Sequence, residues 1–175
     1  LINADIITPP KGNYILDLHL NQVKELLHIE IPPALYELRL PASAVRRACT
    51  HKNQSMTFGI HPWSRRGHIT SFVWPFEKWA QLIRFLLSEY EDSRLIIFGR
   101  DKRFQEFRRF LSESGCNDDE RISFSYSNSV NELIDTIDGV DALVTVNTAV
   151  VHIGYALRKR MFILNGPSLD LWVPK

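Results

Sequence analysis

The chain has 175 residues, of which 45% are apolar and 23% charged, with a formal net charge of +1. That length suits one domain with a single core, and the composition excludes a disordered or fibrous chain. The near-neutral balance excludes a dedicated nucleic-acid binder, which would be clearly basic.

Residues 1–55 read as a connecting segment packed on the domain edge. Asp17 to Leu27 can form a helix through Leu18, Val23, Leu26 and Leu27, and Ala42 to Cys49 a shorter one. Pro9-Pro10, Pro32-Pro33 and Pro41 break up the remainder, because proline removes a backbone donor and clashes within a helix. From residue 56 onward, apolar runs alternate with helical patterns. The run from Met56 to Ile60 predicts a first strand, stopped by His61-Pro62 and followed by a polar loop over 61–75. Trp79, Leu82, Ile83, Leu86 and Tyr90 recur at helical spacing. Arg94 to Phe98 reads as a buried strand ending at Gly99. Phe104, Phe107, Phe110 and Leu111 mark a second helix, with Gly115 placed to terminate it.

Ile122 to Tyr126 alternates with period two, a third strand. Ser129 is the expected N-cap of a helix carrying Val130, Leu133, Ile134 and Ile137. Ala142 to Thr145 is the fourth strand, Thr148 to Leu157 the fourth helix and Met161 to Leu164 the fifth strand. Strands joined by helical crossovers predict an α/β domain over 56–175, a Rossmann-like doubly wound parallel sheet of about five strands with helices on both faces. The chain shows no internal repeat and no low-complexity tract.

In such a sheet, ligands bind beyond the carboxyl ends of the strands. That rule selects the loops at 61–75, 99–103, 126–129, 145–148 and 165–170. They carry small hydroxyl and amide groups with a few cations, a set suited to a phosphate-bearing ligand. The helix starting near Thr148 would aim free N–H groups and its positive dipole end into the same crevice. No GxGxxG follows the first strand, and no P-loop, HExxH or GxSxG motif is present. The six histidines show no metal-ligand spacing, so a metal site is not expected.

Cys49 and Cys116 are far apart and form no CxxC, which fits free thiols in a reducing compartment. Nothing resembles a signal peptide, and no apolar run approaches the ~20 residues of a bilayer span. The protein is therefore expected in the cytoplasm. The sequence opens on Leu1 without methionine and stops after an apolar segment at Lys175, so a piece of a larger protein is expected.

The order and spacing of these segments resemble the bacterial heptosyltransferases, glycosyltransferase family nine. The family's pattern runs strand, Asp or Asn, Ser or Thr, three residues, His, helix, strand, Gly-Pro. Here it reads 144-VTVNTAVVH-152 followed by 164-LNGPSLDLW-172. Trp74-Pro75 with Trp79 looks like the family's first helix start, and 97-IFGRDKRF-104 and 18-LHLNQVKELLHIEIP-32 are similar to its further segments. The resemblance covers nearly the whole chain, although each motif is short.

The resemblance implies one half of a GT-B enzyme, in which two Rossmann-like domains face each other across a cleft. This half would bind a nucleotide-diphospho-sugar donor, ADP-heptose-like, and no separate cofactor. The other half would bind a lipopolysaccharide or related glycan acceptor and carry the catalytic carboxylate, so this piece alone is not expected to catalyse transfer. The full-length protein would associate peripherally with the cytoplasmic face of the inner membrane. Family members invert configuration and use no metal. Thr148, Asn147, Ala149 and His152 would then line the donor diphosphate and sugar, with Ser64, Arg65 and Arg66 near phosphate. Gly99 and Asp101 would border the nucleoside, with Asn128 and Ser129 near the base.

The chain departs from the family at three points. Phe72 stands where the family has a loop lysine, Asn147 where it usually has aspartate, and Ala149 where it has glycine. Each site residue also has a structural reading: His152 a core histidine, Thr148 a plain N-cap, Asn147 a turn residue, Arg65-Arg66 solvated loop charge. Trp74 and Trp79 read as packing residues rather than sugar stackers. Two rivals follow, a non-catalytic GT-B-like binding or assembly module and an epimerase-like enzyme acting on a sugar nucleotide.

Overall fold

The computed structural model describes residues 24–26, 28, 30, 55–63, 74–100, 102–116 and 119–164. The expected helix at Ala42 to Cys49 and the loop at 165–170 lie outside them, as does most of the first crevice loop. Residues 24–26 are helical, inside the segment read as a helix over Asp17 to Leu27.

Nine elements alternate in chain order: β1 (Thr57–His61), α1 (Phe76–Glu89), β2 (Arg94–Gly99), α2 (Lys102–Glu113), β3 (Ile122–Tyr126), α3 (Val130–Asp138), β4 (Ala142–Val146), α4 (Ala149–Ala156) and β5 (Arg160–Leu164). The expected five-stranded parallel sheet is present, in the order β3-β2-β1-β4-β5. The chain runs outward from β1 through β2 to β3, crosses back, and runs outward again through β4 and β5. The direction reverses between β1 and β4, which is the topological switch point of the fold.

Strand alternation splits the core into two layers. Phe58 and Ile60 of β1, Leu95 and Ile97 of β2, and Val144 and Val146 of β4 pack on one face against Trp79, Ile83 and Leu86 of α1 and Phe107 and Leu111 of α2. Phe98 and Leu143 point to the other face, where Ile134 and Ile137 of α3 and Val150 of α4 cover them. The central strands are thus apolar on both faces, as a parallel sheet requires. On the α3/α4 face Gly59 brings neighbours close, since a Cβ there would lie 2.9 Å from Leu143 Cδ2 and 3.1 Å from Phe98 Cε1.

The helix ends obey local rules. Gly115 adopts φ 68° and closes α2 in a Schellman motif, with Cys116 N–H donating to Leu111 O (3.0 Å) and Gly115 N–H to Ser112 O (3.2 Å). The same motif closes α4, where Lys159 N–H donates to Gly154 O and Arg158 N–H to Tyr155 O, both 2.9 Å. Here Arg158 takes the left-handed position at φ 56°, a conformation that costs a residue with a Cβ roughly 1 kcal/mol. Cys116 is a buried free thiol. Among the described residues no helix is long and apolar enough to cross a membrane.

The edge strand β5 is less covered than its neighbours. Phe162 is 64% exposed and borders an apolar groove of about 350 Å³ with Phe58, Leu82, Leu86, Ala142 and Val144. This groove lies toward the amino ends of the strands, away from the edge where ligands bind in this architecture.

Candidate functional site

The carboxyl edge of the sheet gathers the ends of β1, β2, β3 and β4 with the starts of α2, α3 and α4. Of the residues singled out in the sequence, Thr148, Asn147, Ala149, His152, Gly99, Asn128 and Ser129 all fall there. Ser64, Arg65, Arg66 and Asp101 lie outside the described residues, as does Phe72.

Two helices begin on this edge with a hydroxyl cap. Ser129 is in extended backbone and its Oγ accepts from Glu132 N–H at 3.2 Å. Glu132 reaches back, its carboxylate accepting from Asn128 N–H at 2.7 Å. The first bond is one half of a capping box, and the carboxylate reaches one residue past the N-cap instead of closing the box on Ser129 N–H. The α3 terminus therefore already holds an anion, and Asn128 N–H and Ser129 Oγ are engaged within it.

Thr148 caps α4 in the same extended conformation, with Oγ1 accepting from Val150 N–H at 3.3 Å. The first turn of α4, however, contains no acidic residue. Ala149 is exposed there and Val150 and Val151 are buried. No carboxylate of that turn offsets the positive end of the helix dipole. Asn147 N–H donates to Leu164 O at 3.3 Å, tying the turn before α4 to the end of β5. His152 follows one turn into the helix and is half-buried, and desolvation holds its pKa below the ordinary histidine value.

Gly99 has a packing role that composition does not announce. The Trp63 indole lies directly over it: a Cβ at Gly99 would come within 2.2 Å of Trp63 Cζ2. Trp63 is 4% exposed and meets Phe104 and Phe107 edge-on, at ring separations of 5.6 and 6.0 Å. The end of β2 is thereby roofed by an aromatic ring. Trp79 is buried and Trp74 meets it edge-on at 5.1 Å, as expected of packing residues.

At the switch point, His61 and Thr145 are register partners on β1 and β4. His61 Nδ1 lies 3.4 Å from Thr145 Oγ1, and Thr145 Oγ1 donates to Val146 O at 2.9 Å. The imidazole lies beside Trp63 at 5.4 Å and Phe98 at 5.3 Å, both rings tilted to it. Burial pushes its pKa down to about 4, a bond to its own backbone carbonyl offsetting part of the effect. Neither His61 nor Thr145 was selected as a site residue from sequence. From sequence both stand in the selected crevice loops 61–75 and 145–148, but neither is given a role there. At the end of β3, the Ser127 hydroxyl is buried with no hydrogen-bond partner among the described residues. Among those residues no group of three His, Cys, Asp or Glu side chains is placed to hold a metal.

Comparison with solved structures places this fold. A glycosyltransferase family 9 protein from Veillonella parvula matches with a TM-score of 0.69 at 14% identity, over 94% of this chain and 48% of that one. The E. coli heptosyltransferase WaaC with ADP matches at 0.53 and 21% identity, over 66% of this chain and 35% of that one. The same enzyme with ADP-2-deoxy-2-fluoro heptose matches at 0.60 and 18% identity, over 91% and 47%. The chain thus spans less than half the length of these relatives. No curated protein matches it. The family model of glycosyltransferase family 9 (heptosyltransferase) matches residues 18–171, nearly the whole chain, and the chain belongs to that family.

Proposed function

We propose that this chain is the donor-binding half of a heptosyltransferase-like enzyme that takes a sugar from a nucleotide-diphospho-sugar, ADP-heptose-like, without a metal and with inversion. Residues 56–175 form the donor domain and 1–55 the connection toward the acceptor half, which binds a lipopolysaccharide or related glycan. The observation that carries this reading is the pair of helix starts on the ligand edge. The α3 terminus is neutralised by Glu132, whereas that of α4 carries a hydroxyl cap and no carboxylate in its first turn.

In this reading the diphosphate sits at the start of α4. The Thr148 hydroxyl and the N–H groups of Thr148 and Ala149 donate to its oxygens. As the bond to the sugar breaks, negative charge grows on the departing diphosphate. Fixed donors and a helix dipole stabilise that charge without reorganising, the role a metal plays in other transferases. Arg65 and Arg66, with Ser64, supply further donors from the first loop. Asn147 and His152 border the sugar, Gly99 and Asp101 the ribose, and the Asn128 amide with Ser129 the base. The protein works in the cytoplasm, at the face of the inner membrane where the glycolipid acceptor is built.

The test is calorimetry of the intact protein with ADP, UDP and inorganic pyrophosphate. ADP binding that weakens in Thr148→Ala is the expected result, and no binding to any of the three overturns the reading. Asn147 favours a second reading, a binding module without activity, since an uncharged amide replaces a family carboxylate. ADP binding by the full-length protein without sugar transfer would select it.

A further inference from the structure

Beyond α1 the sheet lacks a helix on one side. α3 and α4 cover the opposite face, and no described helix lies over β4 and β5 on the α1/α2 face. Register turns Ala142, Arg160, Val144 and Phe162 to that side, where they floor the groove walled by Leu82 and Leu86 of α1. Two strands at ~4.8 Å spacing make a strip about 10 Å wide, the width of one helix. Phe162, 64% exposed, forms the open side of that strip.

We propose that residues 42–49 of this chain fill the groove as a helix, which moves the edge of the Rossmann-like domain from Met56 back to Pro41. They lie outside the described residues, and three observations assign them to the groove. The first is where the chain enters. Met56 packs with the apolar cluster of the α1/α2 face, and its carbonyl accepts from Arg94 N–H at 2.9 Å. The chain thus reaches β1 on the same face as the groove and at the same end of the sheet. The second is reach. Six residues, 50–55, separate the segment from Met56. They span at most about 20 Å, and the opposite face there is taken by α3 and α4. The third is pattern. At helical spacing Ala42, Ala44, Val45, Ala48 and Cys49 fall on one stripe, with Ser43, Arg46 and Arg47 on the other side. These small apolar groups would face the large ones of the groove wall, Leu82, Leu86 and Phe162. A second copy of the chain fits less well. A stable interface buries about 800 Å² per partner, and Phe162 is the one large exposed apolar side chain in the described lining.

The experiment is pulsed alkylation of the intact protein, with each cysteine quantified by peptide mass. Cys116 is a buried free thiol and serves as the control for global opening. Docking predicts that Cys49 is alkylated at least roughly tenfold more slowly in the folded protein than in urea. Phe162→Asp in the groove and Val45→Asp on the apolar stripe should each speed Cys49 alkylation toward the unfolded rate, with Cys116 still protected. Arg46→Asp, on the polar side, should leave Cys49 protected. If a charged variant exposes Cys116 too, Phe162→Ala and Val45→Ser are read in its place. A wild-type Cys49 alkylated as fast as in urea overturns the proposal, and so does a Cys49 rate indifferent to all groove and stripe variants. A wild-type dimer in sedimentation that Phe162→Asp dissociates gives the groove to a second copy, and also overturns it. None of these outcomes touches the ligand edge, so the donor-site reading stands or falls separately.

Discussion

The α3 and α4 helices start on the same edge of the same sheet, each capped by a hydroxyl in extended backbone. Three residues past the cap they diverge. α3 has Glu132, whose carboxylate returns to Asn128 N–H, and α4 has Val151, buried in the core. One terminus has spent its positive end on its own side chain, and the other faces the crevice with that end uncompensated by its own turn. A cap therefore predicts where a helix begins, but the third residue after it decides whether the terminus is free to hold a foreign anion.

The largest expected effect separates the two regions by pH. His61 and His152 both lie on the β1/α4 side and both are held neutral by burial. A depressed folded-state pKa means the unfolded chain takes up the proton first. Stability is then complete above about 6.5 and falls as pH drops toward 4. For His61 the loss is on the order of 3 kcal/mol over that window. Urea midpoints measured from pH 8 to 4 should fall accordingly, and His61→Phe should flatten the curve. An unchanged slope in that variant would show that the imidazole is not enclosed as described.

Making α4 resemble α3 should silence it. Ala149→Glu puts a carboxylate at the first position of α4, where it stabilises the helix yet repels a diphosphate. ADP affinity is expected to fall about a hundredfold by calorimetry. Glu132→Gln, at the terminus already filled, should leave ADP binding unaltered. If both variants bind equally, the two termini do not differ as argued. A smaller effect sharpens the contrast further. Thr148→Ala and Ser129→Ala should each lower unfolding free energy by about 1 kcal/mol. Only the first should also weaken inorganic pyrophosphate.

The sequence reveals most of this architecture because its signals are local and repeated. Period-two alternation over Ile122–Tyr126, the helical stripe from Trp79 to Leu86 and the glycine after α2 each follow from a few adjacent residues. Helix starts are equally local, and both caps were expected. What sequence reading missed depends on pairs far apart in the chain. Trp63 covers Gly99 from a distance of 36 positions, and His61 meets Thr145 across 84. Neither pair has a spacing that periodicity can reveal, because the strand order that joins them is set by packing. Gly99 shows the difference well: sequence gave it to the nucleoside, and the structure adds that nothing larger fits beneath the indole. The doubly bonded start of α3 lay between these extremes. Ser129 and Glu132 stand three apart as the motif requires, but its consequence for Asn128 N–H appears only once both bonds are seen.

The roof over Gly99 has one more use. Trp63 sits rigidly in the apolar layer, its ring 5.4 Å from an imidazole that stays uncharged until strongly acidic conditions. Indole emission is quenched by a nearby protonated imidazole and responds to polarity at its rim. Trp63, one of the chain's four tryptophans, is thus expected to dim as His61 gains its proton near pH 4, a readout that needs no attached dye.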